Sequence, residues 1–265
     1  MKYSVCLDAL YFELSYFGAS PENFIQGMKI ARNAGFDAVE FWGWGKKDIS
    51  SIVKAKRELE LDIAAIATGF ISLCDSSLRG SYLDGIRDTI PVAERLGCKT
   101  IISPAGKAME GVSRSDQHRS IVAGLKEAAK LVEPANVTLV LEPLNTLVNH
   151  PDQFLSTSKE GFEILDEVGS PNVKLLYDIY HQQIMEGNLI ATITKHIKQI
   201  GHLHAAANPG RNEITGGEIN YREVLRAVAE TGYEGYCGLE YMPKKDIATG
   251  LKEAFELMHE AVPVA

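Results

Sequence analysis

Thr138-Leu139-Val140-Leu141-Glu142-Pro143-Leu144-Asn145 starts as an apolar, partly β-branched run and ends on a carboxylate and an amide. A run of this length reads as a buried strand, and a carboxylate set into such a run is costly to desolvate unless something pairs with it. Three later stretches repeat the design: Leu175-Leu-Tyr-Asp178-Ile-Tyr-His181, His202-Leu-His204 and Gly238-Leu-Glu240-Tyr241. In each, the polar groups gather at the C-terminal end. That polarity belongs to parallel strands whose C-terminal ends share one functional face.

Working outward, strand candidates fall at residues 3–10, 38–44, 62–68, 100–105, 138–145, 174–180, 200–206 and 236–241, each followed by a segment of helical period. Ser20-Pro21-Glu22 reads as a helix N-cap with Pro in the first turn, and Ser113 to Asp116 opens another amphipathic run. Gly35, Gly97, Gly169 and Gly232 stand where helices close in the left-handed conformation just before a strand. Eight such β/α units in 265 residues predict a single-domain closed (β/α)8 TIM barrel spanning residues 1–265. No G-x-G-x-x-G follows the first strand and no G-x-x-x-x-G-K-[ST] occurs, so a dinucleotide or P-loop site is not expected.

The charge balance, 27 Lys+Arg against 35 Asp+Glu for a net of −8, argues against a nucleic-acid partner, which needs a basic face. No run of about 18 apolar residues suggests a membrane span, and Asp8 and Glu13 interrupt the N-terminal stretch too early for a signal peptide. Cys6, Cys74, Cys98 and Cys237 are widely separated and form no C-x-x-C pair, which points to a reduced, cytoplasmic chain.

On successive barrel strands, Glu142, Asp178, His204 and Glu240 offer hard oxygen donors and one imidazole, a set suited to Mg²⁺, Mn²⁺ or Co²⁺. Glu142 and Glu240 are the natural acid/base pair for removing a proton beside a carbonyl. Arg211 suits a bidentate grip on a substrate carboxylate, or the capping of a helix from a surface loop. His181 and His202 suit substrate hydroxyls, orientation of a ligand, or a structural core role. Glu40 is a pocket residue or a strand-end ion-pair partner. Trp42 and Trp44 are either a wall over the substrate or plain packing. Residues 208–217, with three Gly and one Pro, read as a mobile loop able to close over the site.

Leu141-Glu142-Pro143-Leu144-Asn145, Val173 to His181, Pro209-Gly-Arg211, Gly217-Glu218-Ile-Asn220-Tyr221 and Gly238-Leu-Glu240-Tyr241, with Gly35-Phe-Asp-Ala-Val-Glu40-Phe41, resemble the hydroxypyruvate isomerase family of xylose-isomerase-like barrels. The resemblance spans the whole chain. It implies metal carboxylates at Glu142, Asp178 and Glu240, acid/base glutamates at Glu142 and Glu240, and a small-molecule substrate such as hydroxypyruvate, converted to 2-hydroxy-3-oxopropanoate. It also leaves room for a homo-oligomer. That family usually carries Gln in a His-x-Gln stretch where this chain has His202-Leu-His204, and His there is similar to ketose 3-epimerases of the tagatose/allulose type, the alternative reading.

Overall fold

The computed structural model describes residues 1–12 and 21–262. Its eight strands, β1 Lys2–Cys6, β2 Ala38–Gly43, β3 Asp62–Ala67, β4 Thr100–Pro104, β5 Thr138–Glu142, β6 Val173–Asp178, β7 Ile200–Ala205 and β8 Tyr236–Leu239, pair in chain order and close into a barrel. All pairings are parallel, and closure sets Ser4 and Val5 of β1 against Gly238 and Leu239 of β8. Helices follow the strands and pack their apolar faces on the barrel, so the main core lies between the two layers, lined by Val5, Val39, Ile66, Leu139, Leu175 and Leu203.

The eight units match the expected order, but several strands stop short. β5 ends at Glu142 because Pro143 has no amide hydrogen to continue the ladder. β6 ends at Asp178, whose side chain caps a helix at once, and β8 ends at Leu239. Residues 7–10, expected as strand, form the short helix Leu7–Leu10. Shortened strands leave Glu240, His181 and Asn145 just beyond the sheet, in the segments that shape the barrel mouth.

Helix boundaries follow their local chemistry. Ser113 accepts from the Asp116 amide, and Thr157, Asn220 and Asp246 cap their helices likewise. Gly97 and Gly169 close helices at φ 68° and 72°. A helix runs over Pro21–Asn33, whereas the Ser20 cap lies outside the described residues. All four cysteines are free and buried. Among the described residues no helix is long and apolar enough to cross a membrane.

Candidate active site

β5, β6, β7 and the segment after β8 bring Glu142, Asp178, His204 and Glu240 together, each offering one ligand atom within 4.8 Å of the others. All four are buried. Asp178 divides its carboxylate. Oδ1 accepts from the amides of Tyr180 at 2.7 Å and His181 at 3.1 Å, which caps the helix Ile179–Met185, while Oδ2 has no hydrogen-bond partner. His204 likewise has no hydrogen bond at Nδ1, which lies 3.6 Å from Glu142 Oε1 and 3.5 Å from Glu240 Oε2. Leaving a buried polar atom unpaired costs about 1–3 kcal/mol. Two such atoms sharing one focus with two further carboxylates form a donor set that fits a hard divalent cation.

Arg211 lies inside this cluster. Its guanidinium pairs with Glu240 Oε2, stands 3.9 Å from Asp178 Oδ2 and faces the Tyr180 ring at 5.6 Å, while Nε is buried without a partner. The second oxygen of Glu240 accepts from the Trp42 indole at 2.6 Å. Burial raises the Glu142 carboxyl to about 7, the neighbouring charges of Glu240 and Asp178 adding to the effect. Burial pushes Glu240 the same way, yet His204 and Arg211 outweigh it and hold that carboxyl well below the ordinary range. The two glutamates therefore differ in protonation although they share a site.

His181 accepts at Nδ1 from the Asn145 amide at 3.2 Å and contacts the Asn145 side chain at 2.6 Å, so Nε2 carries its proton. Burial first, and the charge of Arg211 second, keep this imidazole neutral by lowering its pKa well below the usual value. Its Nε2 is unbonded, 3.5 Å from Asp178 Oδ2.

Three other candidates take the following places. Glu40 and His202, open between a place in the pocket and a supporting role behind it, bond to each other at 2.9 Å, and Glu40 also meets His204 of the cluster at 2.6 Å. Trp44 donates to Thr89 at 3.0 Å on the helix Arg79–Leu96, so of the two indoles only Trp42 touches the site. Residues 208–217, read as a loop able to close over the site, are hydrogen-bonded in this conformation. Ala207 and Asn212 form a bridge, Glu218 donates its amide to Asn208 at 2.8 Å, and Met242 donates to Arg211 at 2.8 Å. Gly210 and Gly217, at φ 101° and 83°, serve these tight turns.

Sequence reasoning missed Asp8. Its Oδ2 accepts from the Trp42 amide at 2.7 Å and from Lys47 Nζ at 2.8 Å, which fixes the residue whose indole holds Glu240. The signal was available: Asp8 closes the apolar run Val5-Cys-Leu7, the same embedded carboxylate that marks Glu142.

Residues 28–261 match the family described as the xylose isomerase-like TIM barrel. The human putative hydroxypyruvate isomerase is 31% identical, over 95% of this chain and 93% of its own. Hydroxypyruvate isomerase of Escherichia coli (strain K12) is 32% identical, over 87% of this chain and 92% of its own. With such relatives along nearly its full length, the chain belongs to the hydroxypyruvate isomerase family of these barrels, and it is an isomerase. Among solved structures, one titled AP endonuclease, family 2, from Brucella melitensis superposes with a TM-score of 0.86 at 27% identity, covering 95% of this chain and 97% of that one.

Proposed function

We propose that this chain is a divalent-cation-dependent isomerase of small hydroxy keto acids, interconverting hydroxypyruvate and 2-hydroxy-3-oxopropanoate or a close analogue. The observation that carries the reading is the convergence of three carboxylates and the His204 Nδ1 within 4.8 Å, with Arg211 beside them. Moving the carbonyl requires one proton to leave a carbon and reach its neighbour, and another to pass between the two substrate oxygens. Glu142, buried and facing the focus of the cluster, suits the carbon proton. Glu240 handles the oxygen-bound proton, held in place by Trp42 and Arg211. A divalent cation held by Glu142, Asp178, His204 and Glu240 would polarise the carbonyl and offset charge developing on the substrate oxygens.

The unpartnered Nε of Arg211 leaves a donor for the substrate carboxylate, and His181 Nε2 leaves one for a hydroxyl. Trp42 supplies an apolar wall that limits water. The net charge of −8 favours such a small substrate over a polyanion.

The test is a panel of hydroxypyruvate, four-carbon 2-keto acids and neutral ketoses, incubated with Mn²⁺-, Mg²⁺- or Co²⁺-loaded enzyme and with chelated enzyme, products read by NMR. A carbonyl moved to the adjacent carbon, only in the loaded enzyme, supports the reading. A carbinol inverted in neutral ketoses alone makes the protein a 3-epimerase, the outcome His204 favours. Full turnover in exhaustively chelated enzyme sinks the cation requirement.

A further inference from the structure

Beneath the four-residue cluster lies a second buried group. Glu40 on β2 places Oε1 2.6 Å from His204 Nε2, and places Oε2 2.9 Å from His202 Nε2 and 2.8 Å from the Ser4 hydroxyl on β1. Both carboxylate oxygens are thus already taken by donors, so this group is no second cation site. Room for it comes from β8. A Cβ on Gly238 would overlap the Glu40 carboxylate, 2.7 Å from its Oε2, so a side chain there is incompatible with Glu40 in this position.

We infer that Glu40 is a positioning residue for the cation site, holding a proton on His204 Nε2 and thereby presenting the Nδ1 lone pair to the focus of Glu142, Asp178 and Glu240. The inference rests on the cation reading above. Its logic is the inventory of donors. A carboxylate accepts from all three partners at once, and the hydrogen bond at one ring nitrogen decides what the other offers. In Glu40→Gln the amide oxygen belongs on the side with two donors, Ser4 and His202, so the NH₂ faces His204. A donor then meets a donor. The imidazole answers by moving its proton to Nδ1 or by turning, and either change removes a ligand. A residue that merely ties strands together would affect folding without touching the donor set.

The experiment compares wild type, Glu40→Gln and Gly238→Ala, following Mn²⁺ binding by electron paramagnetic resonance, the Co²⁺ donor set by visible absorption, and integrity by thermal melting. Glu40→Gln should still melt cooperatively while binding Mn²⁺ about 10–100-fold more weakly, the range seen when an outer partner of a ligating His is lost. Its Co²⁺ spectrum should differ from the wild type's. Gly238→Ala, which keeps every ligand and Glu40 itself, should shift affinity the same way; should it not fold, the isosteric Glu40→Gln decides alone. Wild-type Mn²⁺ affinity and Co²⁺ spectrum in Glu40→Gln, with only the melting temperature lowered, overturns the inference. A wild type that binds no Mn²⁺ overturns the cation reading along with it.

Discussion

Arg211→Met should expose how much of the cation-free site depends on one guanidinium. In the folded chain Arg211 pairs with Glu240 and stands 3.9 Å from Asp178 Oδ2, with only 8% of its surface exposed. Breaking a buried pair by removing one partner costs roughly 3–5 kcal/mol, because the remaining charge stays desolvated. In a domain of about this size each kcal/mol lowers the midpoint by about 2–4 °C, so chelated Arg211→Met should melt about 6–20 °C below chelated wild type. Mn²⁺ at about 100 times its dissociation constant contributes about 2.7 kcal/mol to any folded protein that binds it. At one fixed free Mn²⁺ concentration the variant should gain more than the wild type, since a cluster stripped of its guanidinium binds the cation more tightly and so sits at a higher multiple of its dissociation constant. Differential scanning calorimetry with and without Mn²⁺ measures both quantities. A chelated variant melting within about 2 °C of wild type, or an equal response to Mn²⁺ in both, would refute the view of Arg211 as the counter-charge of the cluster.

Three further outcomes are expected. Glu142→Gln and Glu240→Gln should each lower kcat by orders of magnitude while the protein still folds, because an amide can neither take the proton nor balance the cation; steady-state kinetics with Mn²⁺ confirmed bound checks this. Gly217→Ala sets a Cβ 2.5 Å from the Asn208 carbonyl oxygen at φ 83°, and should raise KM for keto acids by displacing Arg211 with the loop, a change read against kcat in the same assay. Burial pushes Glu40 up, but His202 and His204 overcome it and bring the group down to about 2. A depressed carboxylate contributes stability above its unfolded pKa and loses it as pH falls. Chelated wild type should therefore lose stability more steeply between about pH 4 and 2 than Glu40→Gln, as read by urea unfolding across that window.

What could be read from the chain was the part written in consecutive residues. Apolar runs closed by Glu142, Asp178 and Glu240 revealed both the strands and the face on which their polar groups meet, because strand direction and burial are local properties. Contacts that join distant strands had no such trace. His202 sits 162 positions from Glu40, and Trp42 sits 198 from Glu240, so nothing in either neighbourhood announces the pairing. The hydrogen bonds of the loop at residues 208–217 were hidden for another reason. Glycine is compatible with mobility and with tight left-handed turns, and only the hydrogen bonds made around it tell the two apart.

The split carboxylate of Asp178 ties the integrity of a helix and the charge of the site to two oxygens of one side chain. Asn caps a helix as well as Asp does, yet carries no charge. A lineage that exchanged one for the other, a single-nucleotide step, would keep the barrel and the start of its helix while losing an anionic oxygen at the mouth. On the cation reading proposed above, catalytically silent descendants that fold normally and still present the pocket are one mutation away, and residue 178 is where to look for them.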